Sequence, residues 1–410
     1  MPAVHAQAYE HLLEWMHGRA LDAWDIPSLQ KDLVGKLATL GISLLRMHIG
    51  IPVLHPLYAA GAYTWTPEGG VETDLFGRDA SQQAYWRQSP LRPIYESGAD
   101  EGRIAISAEG ASEFPTLRAA QEHGATEYFA QLAGFPDRSI PIERQEGVVL
   151  SWISNALGGF REDDLALLRR LRLPLCAQLK HLTDRRLVED VLDAYLGAYS
   201  GKRVLSGQIQ RGDGELIDAV IFFCDLRNSS TLAEQHDYRG FLEILNQYYE
   251  VTVEPVVAHG GEVLRFIGDA SLAIFPFERF ADPGAACNAA LSSAIEAVRR
   301  GHRLNETRRS RDEVEIGFGI GLHPGTVMYG NIGIPSRLEF TVIGRAANEA
   351  ARIESQCREL GEPILVSRDF VELLPGEWRS HGTFALRNIH EPIEILSPDV
   401  STDKRWLAPC

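Results

Sequence analysis

Ala219 to Cys224 is a nearly continuous apolar run, and Asp225 ends it. Such a run is a buried strand, so the acid at its end falls at the rim of a sheet. A lone Asp after a strand usually turns the chain or caps a helix. Here Arg227, Asn228, Ser229, Ser230 and Thr231 follow and lead into a helical stretch. Small polar residues at a helix start leave backbone N–H groups free, and these bind phosphate. A second acid, Asp269, stands in Ile267-Gly268-Asp269-Ala270 between two apolar strands. Taken alone it reads as a hairpin turn residue. Together the two acids terminate strands of one sheet beside a phosphate-binding helix start. A two-metal phosphoryl-transfer centre needs that arrangement: one metal lowers the pKa of an attacking hydroxyl and the other neutralises the triphosphate. Oxygen ligands favour magnesium or manganese over zinc.

A third feature is the helical stretch after Gly344. Asn348 and Arg352 are four apart, so they share a helix face. An Asn can hold a ribose oxygen, and an Arg can stabilise charge growing on phosphorus. The same spacing also suits a solvated face, with Arg352 paired to Glu349. His236 and His323 lie near these segments and read as surface or packing residues.

The 410 residues allow two or three domains, and 45% hydrophobic with 23% charged residues is ordinary for a soluble globular chain. The net charge of −16 excludes a basic nucleic-acid binder and disfavours anionic membranes. A small anionic substrate remains compatible through a local basic pocket. The five cysteines show no CxxC spacing, so neither a disulfide framework nor a zinc site is expected. No signal peptide is expected from residues 1–16, and the most apolar segment, Leu37 to Leu54, is interrupted by Arg46 and His48. A cytoplasmic protein without a membrane span is expected.

Residues 2–41 read as helices, with Leu29, Leu33, Leu37 and Leu40 at helical spacing and Gly41 as a stop. Strands follow near Ile42–Ile49, Tyr63–Thr66, Gly70–Thr73 and Arg103–Ser107, then a helix near Glu113–Glu122, then strands near Glu127–Leu132 and Gly147–Ser151. This α+β pattern, residues 1–160, resembles GAF and PAS sensor domains. His48, His55 and Trp65 are candidates for a small-molecule pocket there, with an ordinary core as the alternative. Residues 161–213 read as a helical connector and linker. Glu162–Leu196 is helical, with Pro174 expected to break or kink it. Its apolar stripe suits either a dimer-forming helix or packing on its own domain. The Gly-rich polar stretch 201–213 suggests a boundary. Residues 214–400 read as a ferredoxin-like α+β sheet with helices on one face. Within it, strands are expected at Val314–Leu322, Thr326–Ile332 and Thr383–Leu386, and a helix at Asn348–Leu360.

Four ordered segments carry a family resemblance. FFCDLRNSSTLAE at 222–234 and GGEVLRFIGDASLAIFP at 260–276 look like the two metal-aspartate motifs of class III adenylate and guanylate cyclases. IGLHPGTVMYGNIG at 320–333 is similar to that family's glycine-rich hairpin, and RLEFTVIGRAANEAARIE at 337–354 to its base-reading and transition-state segment. A looser similarity to the upstream region of some bacterial cyclases covers LHPL at 54–57, GATEYF at 124–129 and the segment YLGAYSGKRVLSGQIQRGDGE. The resemblance implies that Asp225 and Asp269, with the Leu226 carbonyl, hold two Mg2+ or Mn2+ ions per site. It implies that Asn348 positions the ribose, that Arg352 stabilises the pentavalent phosphorus, and that Thr341 and Arg265 read the base. Ser229, Ser230 and Arg387 would contact the triphosphate. The metal acids and the transition-state residues of one site come from different protomers in this family, so a homodimer is implied.

ATP is the substrate the resemblance suggests, with cyclic AMP as product. Arg265 departs from the usual lysine, and the exchange is not conservative. A guanylate or pyrimidine nucleotide cyclase is therefore one alternative, and a catalytically weak nucleotide-binding dimerisation module is another. Ser229 stands where the family often has Phe, and Arg345 where it often has Asp or Asn.

Overall fold

The computed structural model describes residues 3–19, 25–52, 58–77, 86–106, 114–134 and 147–399. The chain divides into two compact units, Met1–Val191 and Leu192–Cys410.

The first unit opens with α1 (Ala3–Arg19) and α2 (Ile26–Thr39). Asp25 caps α2 by accepting the Ser28 N–H at 2.8 Å. Leu29, Leu33 and Leu37 are fully buried, as their spacing requires. Next come β1 (Leu44–Pro52), β2 (Tyr58–Thr66), β3 (Gly70–Gly77), α3 (Leu91–Glu96), β4 (Glu101–Ala105), α4 (Pro115–Glu122), β5 (Glu127–Ala133) and β6 (Val148–Ser154). These strands pair antiparallel in the order β3-β2-β1-β6-β5-β4. Met47, Ile49, Leu150 and Trp152 face a core closed by α1 and α2. Val149, Ile153, Tyr128 and Ala130 face a second core closed by α3 and α4. Helix α3 was not foreseen from sequence. Trp65 is partly buried against the first core. His48 is buried, and His55, like the LHPL segment, lies outside the described residues.

Helix α5 runs from Glu162 to Leu196 with Pro174 inside it. Of the two outcomes expected at Pro174, a break or a kink, the break does not occur: the helix continues through the proline. A proline costs about 3 kcal/mol there. Leu171 and Leu175 on either side are 1% and 0% exposed. Burying each contributes roughly 1.5–3 kcal/mol, which offsets that cost. Leu165, Leu168, Leu171, Leu175 and Leu179 pack into the core of the first unit. From Thr183 onward no residue of the helix is buried, and Val188 and Tyr195 are exposed.

The second unit contains α6 (Ala198–Leu205), β7 (Gly214–Leu226), α7 (Ser229–Gln235), α8 (Tyr238–Ala258), β8 (Glu262–Ile267), β9 (Ala270–Pro276), α9 (Pro283–Ser310), β10 (Phe318–Ile334), β11 (Arg337–Ile343), α10 (Arg345–Leu360), β12 (Ile364–Ser367), α11 (Arg368–Leu373), β13 (Trp378–Phe384) and β14 (Ile393–Pro398). The sheet order is β13-β14-β12-β10-β7-β9-β8, with β11 paired to β10. Helices cover both faces, not one. Val220, Phe222 and Cys224 of β7 face α8 and α9. Ala219 and Ile221 face the opposite core, which holds Ala346 and Ala350 of α10 and is flanked by Tyr199 and Val204 of α6. A strand covered on both faces has no polar side, which is why its sequence does not alternate.

Four further expectations are corrected. The two strands read at 314–332 are one, β10, which pairs with β7 from Phe318 to Gly330 without interruption. On its other side β10 meets β12 at Ile320–Leu322 and β11 at Met328–Ile334. Pro324 falls in the gap between them, where a strand tolerates a missing N–H. The polar stretch 201–213 begins inside α6, where Ser200 and Gly201 are buried. Ser200 donates to Glu262 through its N–H at 2.7 Å and its hydroxyl at 2.5 Å, so this segment is fastened to β8. Helix α10 starts three residues earlier than Asn348, and the strand placed at Thr383–Leu386 is Trp378–Phe384.

Candidate active site

The two acids converge. Asp225 lies one residue from the end of β7, opposite Ala270 on β9, and Asp269 is in the turn that precedes Ala270. The Leu226 N–H bonds the Asp269 carbonyl at 3.3 Å, joining the backbones of the two segments. Burial, the charge of Asp269 and a hydrogen bond between the carboxyls push Asp225 up to about 6. Its Oδ1 is buried with no hydrogen-bond partner. A crowded, half-buried carboxylate with one buried, unused oxygen is stabilised by a cation. Among the described residues no group of three or more His, Cys, Asp or Glu side chains forms a metal cluster. A carboxylate pair nevertheless fits magnesium or manganese where substrate phosphates and water complete the shell. Asn228 precedes α7 in the left-handed region at φ 59° and makes no side-chain cap, and Ser229 and Ser230 form the first turn.

Two residues not singled out from sequence stand behind this pair. Arg227 donates to the Cys357 and Glu362 carbonyls at 3.2 and 3.0 Å, at the C-terminal end of α10. Glu354 of α10 is buried over Gly319, which lies opposite Asp225 in the sheet. Burial and the charges of Asp225 and Asp269 push its carboxyl up to about 8, against the pull of Arg227. Nothing in the spacing of the sequence joins positions 225 and 354.

Arg265 and Thr341 come together in a cleft of about 460 Å3 that Glu339, Ile334 and Ile343 also line. Thr341 is buried, and its Oγ1 has no partner. The Arg265 Nε sits 3.0 Å from Glu339 Oε1. Glu339 escaped the sequence reading, although it stands two residues before Thr341 and so shares its strand face.

Asn348 and Arg352 are exposed on α10. Glu349 does not pair with Arg352: it is 5% exposed and turns inward, to Arg345 Nε at 2.7 Å and His323 Nε2 at 3.1 Å. Arg345 thus serves as a partner for Glu349. Arg387 is exposed in the turn after β13. Its neighbour Leu386 packs with Ile353 and Cys357 of α10. No hydrogen bond or ion pair joins Arg387 to Asp225 or Asp269 among the described residues.

Residues 215–392 match the adenylate and guanylate cyclase catalytic domain. That segment is a class III cyclase domain. An uncharacterized protein of Mycobacterium tuberculosis (strain CDC 1551 / Oshkosh) is 29% identical over 226 residues, 54% of this chain and 38% of that protein. An adenylate cyclase of Anabaena cylindrica is 31% identical over 184 residues, 44% of this chain and 34% of its own. The chain thus spans well under half the length of these curated relatives. Among solved structures, the adenylyl cyclase CyaB from P. aeruginosa is similar with a TM-score of 0.42 and 24% identity, covering 45% of this chain and 94% of that one. The four described cysteines are free thiols, and three of them, Cys224, Cys287 and Cys357, are buried. Among the described residues no helix is long and apolar enough to cross a membrane.

Proposed function

We propose that the chain closes ATP into 3′,5′-cyclic AMP with release of pyrophosphate, at sites shared between two copies of itself. The convergence of Asp225 and Asp269, with one buried carboxylate oxygen unused, carries this reading. Asp225, Asp269 and the Leu226 carbonyl would hold two divalent ions, magnesium or manganese. When bound, such ions lower the pKa of the ribose 3′-hydroxyl and offset the triphosphate charge. The 3′-oxygen attacks the α-phosphorus in line, the bond to the pyrophosphate oxygen breaks, and water takes the proton. Ser229 and Ser230 would receive phosphate oxygens at the start of α7, with Arg387 as a further contact. Asn348 would hold the ribose. Arg352 would act on the phosphorus only as charge develops there, which is where an interaction accelerates a reaction.

Arg265 and Thr341 would read the base. The Thr341 hydroxyl without a partner suits adenine, as acceptor from its amino group or donor to a ring nitrogen. A second reading rests on Glu339: a carboxylate beside a guanidinium also matches the N1–H and O6 of guanine.

The homodimer is supported by the exposed side chains of Asn348 and Arg352. It is supported too by an apolar row across three strands, Leu216, Met328 and Ile343, which are 69%, 45% and 53% exposed. The first unit would regulate the second. The exposed residues Val188 and Tyr195 of α5 suit a helix that pairs with its copy. A small molecule bound by the first unit would be the signal.

Incubation with each of the four nucleoside triphosphates plus magnesium or manganese, followed by mass spectrometry, tests the reading. Cyclic AMP should dominate, and Asp225→Ala should abolish it. Equal traces from both proteins would favour a non-catalytic module, and cyclic GMP would favour the second reading. Mixing Asp225→Ala with Arg352→Ala chains should restore roughly a quarter of the activity, since only mixed dimers contain one intact site. No recovery would refute shared sites. Removal of residues 1–191 should change turnover if the first unit regulates.

A further inference from the structure

The face of β10 beneath α10 is almost bare. Positions 319, 321, 323 and 325 share it, and three of them are glycine. A Cβ on Gly319 would lie 2.8 Å from the Cys357 Cβ, one on Gly321 2.5 Å from the Ala350 carbonyl, and one on Gly325 2.6 Å from the Ala346 Cβ. The helix therefore rests directly on the strand. Such contact fixes the distance between helix and strand, but a smooth track resists sliding poorly, because ridges and grooves set register.

His323 is the exception on that track. It is 4% exposed, with Nδ1 2.8 Å from Ser367 Oγ and Nε2 3.1 Å from Glu349 Oε2. Ser367 Oγ accepts the Phe370 N–H at 3.3 Å, so its own proton is available to Nδ1. With a hydrogen on Nε2 the ring donates to Glu349, which also accepts from Arg345. Every member of this buried chain is satisfied, the condition under which a polar network specifies one arrangement. Glu349 adjoins Asn348 and precedes Arg352 by three residues, within one helical turn.

We propose that His323 is a positioning residue: through Glu349 it sets where along β10 the helix α10 sits, and thereby where Asn348 and Arg352 meet the substrate. The inference rests on the roles proposed above for those two residues. His323 itself touches no reacting atom.

The test is a double-mutant cycle in the full chain, with kcat and KM measured well below the unfolding temperature. His323→Ala should lower kcat on the order of 10^2-fold, the effect of about 1 Å of misplacement. The metal concentration for half activation should hold, because Asp225 lies on β7 and Asp269 in the turn before β9. In the Arg352→Ala background the same substitution should cost about tenfold or less, because only the part of its effect that passes through Asn348 remains. His323→Gln, which keeps a donor toward Glu349, should recover part of the loss. Equal losses in both backgrounds, or a rise in KM with kcat unchanged, would overturn the proposal. Hydrogen exchange gives a readout independent of activity: amides of residues 345–360 should exchange faster in His323→Ala while those of β7 do not. Unchanged protection would refute the inference even if the wild-type chain made no cyclic nucleotide, and that second result would count against the proposed function alone.

Discussion

His48 on β1 and His323 on β10 are both buried, and each stands two residues from a glycine on the same strand face. Their surroundings differ. His48 stays within its sheet: Nδ1 lies 2.9 Å from Thr64 Oγ1 and 3.3 Å from Arg46. Burial and the Arg46 charge hold it down to about 3, so it is neutral. His323 leaves its sheet to meet a carboxylate on a helix. The glycines differ in the same sense. A Cβ on Gly50 would find its neighbours at 3.5 Å, an ordinary contact, whereas one on Gly321 would strike backbone at 2.5 and 2.6 Å. The first unit has slack on this face, and the second has none. A catalytic scaffold must hold helix to strand within fractions of an ångström.

The two sheets differ most sharply at Gly321. Gly321→Ala should destabilise the second unit by about 3 kcal/mol, at the upper end of overpacking costs, because the obstacle is backbone. Thermal or urea unfolding followed at Trp378 would check it, and a loss below about 1 kcal/mol would show that α10 can shift. Next is Asp225→Asn in chelator at pH 8. A carboxyl raised to about 6 favours the fold in its protonated form. That contribution is complete below about 4 and lost as pH rises through 6, so at pH 8 the buried charge opposes folding. After discounting for its half-exposed position, the amide should gain about 1 to 2 kcal/mol in a melting experiment while turnover vanishes. A net loss would mean that the acid pair is part of the fold's support.

His48 should give a smaller effect of opposite sign with pH. Its folded pKa is depressed from 6.5 to about 3, so the unfolded chain binds the extra proton between those values and stability falls as pH falls. From pH 7.5 to 5.5 the first unit should lose about 1.4 kcal/mol, and His48→Gln should flatten that slope. Tryptophan emission suits the measurement, since Trp15, Trp24, Trp65, Trp86 and Trp152 all precede residue 192. The smallest effect is expected for Gly50→Ala, within about 1 kcal/mol by the same unfolding assay. A loss equal to that of Gly321→Ala would erase the contrast between the two sheets.

Local structure was legible in the sequence wherever one segment decides it. The apolar run before Asp225, the Gly-Asp turn at 268–269 and the shared helix face of Asn348 and Arg352 all stand where pattern placed them. The covering of both sheet faces is also written in the lack of alternation from Ala219 to Cys224. Pro174 shows that proline has a fixed local cost and that its surroundings determine whether the helix continues through it. The partners of buried charges were not legible. Glu339 meets Arg265 across a gap of 74 positions, and Ser200 meets Glu262 across 62. Only folding brings such positions together, so no spacing rule reveals them.

The bare track under α10 also bears on how this chain can vary. A crowded interface accommodates change by trading volume between neighbours, one side chain shrinking as another grows. Positions 319, 321 and 325 have no volume to trade, and the groups above 321 are main chain, which no substitution removes. In a saturation scan this half of β10 should therefore stand out as intolerant at every second position, although none of those three residues takes part in the chemistry.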